Sequence, residues 1–491
     1  MSQHEDVRAA VERFLASCRR PALLEPGEDL IELADDNWAL ETRGARLVLQ
    51  AWDQRRNLVR RVKAVRVETP GRLELVVEHF ARREGKLFLL DLDRPAGFDA
   101  ERRSARLVFR ERFRQFLSRQ YPGWNIAELT TEPNLQHSLS PAYPRGLVKK
   151  GQVGIAAIAV SEPTEADGVL SFGLIWLDYL RRRERRMVIE RLALFVPAGE
   201  ERTTCLRMRY LNPEGARCEL LSYSSGGYVA QVDPDDVGNL DTHLETCCRR
   251  ALLPGSLEPL LAVDGVERMA RLDGAVSLRV HGLEFARADA NGIRFGIAQK
   301  LAAHERHAGE IERLARDLAR VRSADADDHQ HPLWRHGPEA WLESQVRAGI
   351  ETVDASLCTE PVYSQVLNFA GGERGVIDLL AVDCTGRLAI IELKASADLH
   401  LPLQALDYWM RVRWHLERGE FTDRGYFPGI ELRREPPRIL LVSPSLEFHP
   451  TSEAILGHFA PNVPIERIGV GLEWRKGLEV MFRLSGAARP Q

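Results

Sequence analysis

The chain has no pair of cysteines at metal-binding spacing. Its seven cysteines, Cys18, Cys205, Cys218, Cys247, Cys248, Cys358 and Cys384, are odd in number, scattered and never spaced as CxxC. That argues against a zinc site and against a disulfide framework, and a reduced, cytoplasmic protein is the simplest expectation. An excess of positive charge is also missing: 67 Lys and Arg stand against 71 Asp and Glu, for a net charge of −4. Any nucleic-acid contact must therefore rest on local patches or bound cations. No apolar run approaches membrane-spanning length, and residues 1–20 are charged throughout, unlike a signal peptide. There is no GxxxxGK[ST] loop, so ATP-driven translocation is not expected. What remains is an ordinary globular composition, 44% hydrophobic and 28% charged over 491 residues, with room for two to four domains.

Apolar spacing predicts an amphipathic helix over 5–20 and another over 105–120. Between them, 28–97 alternates through WALETRGARLVLQAW, LVRRVKAVRVE, RLELVVEHF and KLFLLDL, the pattern of a small antiparallel domain. A mixed α/β region is expected over 98–235, and a small β-containing segment over 236–297. From Ala298 to Arg322 the pattern is helical, with Ile311, Leu314, Leu318 and Val321 on one face. That face suits a connecting helix packed on a domain, with a short coiled-coil contact as the alternative. SADADDHQHP (323–332) reads as a linker, and the C-terminal domain spans 331–491.

The stretch GVIDLLAVDCTGRLAIIELK (375–394) reads as two apolar strands, yet it carries Asp378, Glu392 and Lys394. Glu392 and Lys394 share a face, roughly 6–7 Å apart along the strand. A loop at Cys384-Thr385-Gly386, with glycine in the left-handed position, makes Asp383 face Arg387 and Asp378 face Glu392. Opposed residues have Cβ atoms about 4.5–5.5 Å apart, and like charges so placed destabilise a sheet. A divalent cation between them reverses that argument, since Mg²⁺ is commonly held by one or two carboxylates plus waters and phosphate. A solvated salt-bridge face is the plainer alternative for an ExK alone. Upstream, PEAWLESQVRAG (338–349) reads as a helix placing Glu343 before the hairpin, with Glu339 and Glu351 as rivals. Downstream, LQALDYWMRVRWHL (403–416) reads as a helix with Gln404 and Tyr408 on one face, although a helix tyrosine is often simply half-buried.

Taken in order, the Glu343 helix, the Asp378 strand, Glu392-Leu393-Lys394 and the Gln404…Tyr408 helix resemble the PD-(D/E)XK nuclease superfamily. The ExK form followed by QxxxY resembles the branch that includes RecB-type nucleases and the C-terminal domain of NucS mismatch endonucleases. The resemblance covers about 331–491. It implies a restriction-endonuclease-like domain, a central mixed sheet flanked by helices. It also implies that Asp378, Glu392 and the Leu393 carbonyl bind Mg²⁺ or Mn²⁺, that Lys394 activates or positions the attacking water, and that Glu343 supports the metal. Gln404 and Tyr408 would line the substrate cleft. Ile377 stands where many members have proline, and RILLVSP (438–444) supplies the next expected core strand.

The middle of the chain reads as a repeat of this layout, with a coincidence of apolar patterning as the alternative. YPRGLVKKGQVGIAAIAV (143–160) aligns with the hairpin, LIWLDYLRRR (174–183) with LQALDYWMRVR, and RLALFVPAG (191–199) with RILLVSPS. The chemistry does not repeat. Lys149 falls where Asp378 would be, Ile175 replaces Gln404, and GIAAIAV has neither acid nor lysine. Lys149, Lys150 and RRRERR (181–186) offer phosphate contacts, although such a run more often forms a solvated helix face. The expected protein is thus an α/β and α+β multidomain chain with a β-rich N-terminal domain, a degenerate nuclease-like copy and a nuclease domain. It would act as a metal-dependent endonuclease on nucleic acid, on DNA by analogy with the family, in repair, restriction or antiphage defence. A homodimer is the expected assembly, and a catalytically inactive nucleic-acid-binding or scaffold protein is the alternative.

Overall fold

The computed structural model describes residues 3–488 apart from 26–30, 35–36, 44–45, 53–56, 70, 79–83, 92–97, 162–163, 165, 216, 225, 248–252, 298–299 and 371–372. Over the described residues the chain is a mixed α/β protein with four sheets, which fall into two compact units. One comprises Met1–Asn239, Gly371–Glu373 and Thr451–Pro461; the other comprises Leu240–Ala370, Arg374–Pro450 and Asn462–Gln491. The boundary expected at 97/98 adjoins residues outside those described. Among the described residues, no helix is long and apolar enough to cross a membrane.

The first unit begins with the helix Gln3–Ser17 against a seven-stranded antiparallel sheet. Alternation does the sorting: Leu47, Leu49, Val62, Leu73, Leu75, Leu87 and Leu89 point inward to Val7, Val11 and Phe14. After the helix Phe98–Gln120 comes a six-stranded sheet whose strands lie side by side in chain order, from Asn125–Thr130 to Val229–Val232. Within it, Arg145–Lys150 and Val153–Ala159 form an antiparallel hairpin. Val188–Pro197 and Arg217–Tyr223 then add in parallel, and Val229–Val232 closes the sheet antiparallel. The helix Val169–Arg183 makes the crossover between the second and third of these.

The second unit repeats this plan. Tyr363–Ala370, Glu373–Val382, Leu388–Leu393, Arg438–Pro444, Ile465–Val470 and Val480–Ser485 lie in chain order, with the same antiparallel, parallel, parallel, antiparallel sequence from the Glu373–Val382 hairpin onward. Leu401–Glu417 is the matching crossover helix, and Pro338–Ala348 precedes the sheet as Phe98–Gln120 precedes the other. The short strand Thr242–Leu244 joins the edge at Tyr363–Ala370.

The rest of this unit is a five-stranded antiparallel sheet, from Val266–Ala270 to Leu301–Ala302, covered by the helix Ala308–Val321. The helix expected from Ala298 therefore starts ten residues later, because 301–302 is already a strand, and 298–299 lie outside the described residues. Ile311, Ala315 and Leu318 are buried with Val276, Leu278, Val280 and Phe285, so this face packs on its own domain as a connecting helix would.

That small sheet is locked to the helix Pro338–Ala348. Arg322 is fully buried and donates to the carbonyls of Val280, His281, Leu333 and His336 at 2.6–3.2 Å. The Glu267 carboxylate accepts from the Gly282 N–H and the Ser344 hydroxyl, each at 2.7 Å, and pairs with Arg347. Gly282 has φ +78°, and a Cβ there would lie 1.9 Å from the Ala340 carbonyl oxygen. Gly282→Ala is expected to cost at least ~2–3 kcal/mol, since both strain and a backbone clash oppose it. Thermal unfolding of the variant checks this, and an unchanged Tm would show that the two elements are not held in register at this point.

Candidate metal and phosphodiester site

The hairpin has the expected register. Leu379 pairs with Ile391, Leu380 with Ile390, Ala381 with Ala389 and Val382 with Leu388, and one step further places Asp378 opposite Glu392. The turn that fixes it is built by Asp383, whose Oδ1 accepts from the Thr385 N–H, the Thr385 hydroxyl and the Arg387 N–H at 2.7–2.9 Å. Gly386 takes φ +88°. Leu379, Ala381, Ile391 and Leu393 pack with Trp341, Leu342 and Val346, which leaves Asp378 and Glu392 on the opposite face.

Both acids are held in an unusual state. Glu392 is 1% exposed, and its Oε2 is buried with no hydrogen-bond partner. Asp378 Oδ2 accepts the Leu393 N–H at 2.8 Å. Burial, with the neighbouring Asp378 charge added, pushes Glu392 well above the usual carboxylate range, and burial raises Asp378 to about 7. A buried carboxylate oxygen without a donor costs roughly 1–3 kcal/mol or more. A divalent cation would supply the missing compensation, and the donor set fits a magnesium-type ion held by two carboxylates and water. Among the described residues, no group of three or more His, Cys, Asp or Glu is placed to hold an ion.

Lys394 closes the strand. Its Nζ lies 3.6 Å from Asp398 and 3.7 Å from Glu339. Burial opposes its charge, but Glu339, Asp398, Glu392 and Asp378 outweigh burial and keep the proton on. Lys394 thus places a cation beside the two acids. Glu339, the expected rival of Glu343, is the acid beside Lys394. Asp398, four residues beyond the lysine, was not among the expected residues, and its i,i+4 spacing was the available signal. Glu351 is exposed on a separate turn.

Glu343 is 4% exposed and lies deeper. Burial raises its pKa against the pull of Arg279, whose Nη1 is 3.9 Å away, and its own charge in turn raises Asp378. Gln365 bridges the two: its Nε2 donates to Glu343 and its Oε1 accepts from Arg279, both at 3.4 Å. Gln365 sits inside a strand at φ +52°, a left-handed conformation of the kind that collects at functional sites. Neither Arg279 nor Gln365 was anticipated.

Gln404 and Tyr408 do share a helix face, with the Gln404 amide donating to the Tyr408 hydroxyl at 3.1 Å. Tyr408 is only 6% exposed, and burial together with the Glu392 charge raises its phenol. It is near enough to Glu392 to feel its charge, and Gln404 is the more accessible of the two.

In the matching sheet of the first unit the site is absent. The Val160 N–H bonds Phe195 O as the Lys394 N–H bonds Val442 O, which aligns Ile158 with Glu392. Arg145, not Lys149, lies opposite Ile158. Lys149 is displaced because it lies one pair from the Gly151-Gln152 turn, whereas Asp378, like Arg145, lies five pairs from its own. Arg145 is 3% exposed, bonded to the Glu132 and Ser140 carbonyls and laid over Trp176 at 5.6 Å. A guanidinium thus occupies the place of a ligand. Arg181, Arg182 and Arg183 are engaged by Gly215 O, Asp178 and Glu128 respectively, as expected of a surface helix end.

No protein-family model matches the chain, and no curated protein matches it.

Proposed function

We propose that the chain is a Mg²⁺- or Mn²⁺-dependent nuclease of PD-(D/E)XK type that hydrolyses phosphodiester bonds, with DNA as substrate. The observation that carries this reading is the buried, partnerless Oε2 of Glu392 opposite Asp378. Such an arrangement is unfavourable in a protein that binds no cation there. Asp378 and Glu392 hold the ion, with the Leu393 carbonyl assigned to it by the family resemblance. When bound, the ion supplies Lewis-acid charge and a water of lowered pKa. The Lys394 ammonium, kept protonated by four carboxylates, attracts the phosphate and orients the nucleophile. Glu343, held by Arg279 and Gln365, supports Asp378 from below. Gln404 offers its amide to the substrate, while Tyr408 backs Glu392. The sheet in the first unit, with Arg145 in the ligand position, serves recognition or packing. Repair, restriction and antiphage defence are the settings that suit such an activity.

The test is incubation of the purified chain with linear, branched and mismatched DNA in Mg²⁺, in Mn²⁺ and in EDTA. Cleavage is expected only with metal, and Asp378→Ala or Lys394→Ala is expected to lower it by at least ~10²-fold. Cleavage that survives Asp378→Ala would end the proposal. Binding of DNA with no cleavage under any condition would favour an inactive nuclease fold instead.

A further inference from the structure

The connection between Ile465–Val470 and Val480–Ser485 carries Trp474 and Arg475. Trp474 is buried at 3% exposure, while Arg475 is half-buried. The Arg475 guanidinium carbon lies 4.2 Å from the centroid of Trp474, 4.4 Å from that of Trp334 and 5.2 Å from that of Trp341. His329 continues the stack on Trp334, with centroids 4.4 Å apart and planes 20° from parallel. Trp334 is itself fixed, its Nε1 donating to Ser323 O at 3.2 Å.

What distinguishes Arg475 is the absence of a polar partner. Other deep arginines of this unit are committed: Arg322 to four carbonyls, Arg279 to Ser277, Gln365 and Glu343, and Arg438 to Asp354 and Glu466. Arg475 makes no hydrogen bond and no ion pair among the described residues, and its Nε is buried without an acceptor. Burial alone pushes it down to about 10, with no carboxylate acting to restore it. The adjacent acid, Glu473, is engaged by Lys476 at 2.8 Å. Arg322, also over Trp341 at 4.8 Å, adds a second positive charge nearby. A guanidinium walled by aromatic rings, with its Nε buried, is left with its two Nη groups for a ligand, and that pair of donors matches the paired oxygens of a phosphate.

We infer that Arg475, held by Trp334 and Trp474, is a phosphate-binding site that grips the nucleic-acid backbone away from the bond that is cut. This rests on the nuclease reading for its choice of ligand. The test is made in EDTA, where no metal-dependent cleavage can occur. It uses the full chain and a fluorescein-labelled single-stranded 20-mer, with anisotropy titrations over a range of NaCl concentrations. Arg475→Gln is expected to weaken binding about tenfold and to flatten the slope of log K against log salt by about 0.7, the share of one phosphate contact on a single strand. Arg475→Lys, which keeps the charge and loses the fork, is expected to keep most of the slope and lose about threefold in affinity. Trp334→Ala is expected to behave like Arg475→Gln, because the wall is gone. If Arg475→Gln lowers only the Tm and leaves affinity and salt slope at wild-type values, the arginine is packing and the site is overturned. Failure of the wild-type chain to bind the oligonucleotide also overturns it. The two proposals separate cleanly: loss of cleavage in Mg²⁺ with these binding results intact removes the nuclease and leaves the phosphate site.

Discussion

Glu392→Gln is expected to abolish metal-dependent cleavage and to make the metal-free protein harder to unfold. Both effects have one cause. Asp378 and Glu392 face each other across a hairpin, with Glu392 buried and its Oε2 unpartnered. The folded pKa of Asp378 is raised to about 7 from an ordinary 3.8, and that of Glu392 lies well above 4.5. An acid whose pKa is raised by folding contributes stability that is fully present below its unfolded value and is lost as pH climbs through its folded value. The metal-free protein should therefore lose stability as pH climbs from about 4 through about 7, by on the order of 4 kcal/mol from Asp378, since each tenfold gain in proton affinity on folding is worth about 1.4 kcal/mol, and Glu392 extends the loss in the same direction. Glutamine removes the second charge and lets its amide donate to Asp378, so the decline should flatten. Metal reverses the ranking, because an ion that binds only the folded wild type stabilises it by mass action. Thermal unfolding at pH 8 would show the variant above wild type in EDTA and wild type gaining in Mg²⁺ while the variant does not. A variant less stable than wild type in EDTA, or equally stabilised by Mg²⁺, would mean that the two acids are not a cation site.

The hairpin was legible because its determinants are local. Period-two alternation set the strands, DCTGR set the turn, and counting back from Gly386 set Asp378 against Glu392. The crossover helix and its Gln404–Tyr408 face were legible for the same reason, as was the repetition of the layout in the middle of the chain. The shell around the acids was not. Arg279 comes from a separate small sheet and reaches Glu343 only through tertiary packing, so no spacing in the sequence links them. Gln365 acts through a left-handed backbone inside a strand, where alternation predicts an ordinary extended residue. The choice between Glu339 and Glu343 turned on helix phase relative to the hairpin: four residues apart, they share a face, but one meets Lys394 and the other Arg279. The placing of Lys149 failed because matching RGLVK to RGVID ignores strand length: counted from the turns, Asp378 lies five pairs out and Lys149 only one.

Arg279→Met should expose what that hidden shell does. Arg279 is 4% exposed and Glu343 is 4% exposed, so removing the cation strands a carboxylate in the interior. Breaking a buried pair from one side typically costs about 3–5 kcal/mol; at 3.9 Å, with Gln365 still donating, the lower end is expected. The pH dependence identifies the mechanism. Glu343 is already raised by burial, and without Arg279 it rises further, so the penalty is small at pH 5, where the carboxyl can take a proton, and largest at pH 8. Arg279→Met/Glu343→Gln removes both charges and should recover most of the loss, since the coupling between the two sites is then gone. The consequence at the metal site follows from the same charge. Glu343 in its ionised form raises Asp378; once Glu343 is protonated that influence is gone, and the acid limb of metal-dependent cleavage should move to lower pH even as kcat falls. A purely packing role for Arg279 predicts instead a penalty independent of pH, no recovery in the double variant and an unmoved acid limb, and that combination would detach the small sheet from the chemistry altogether.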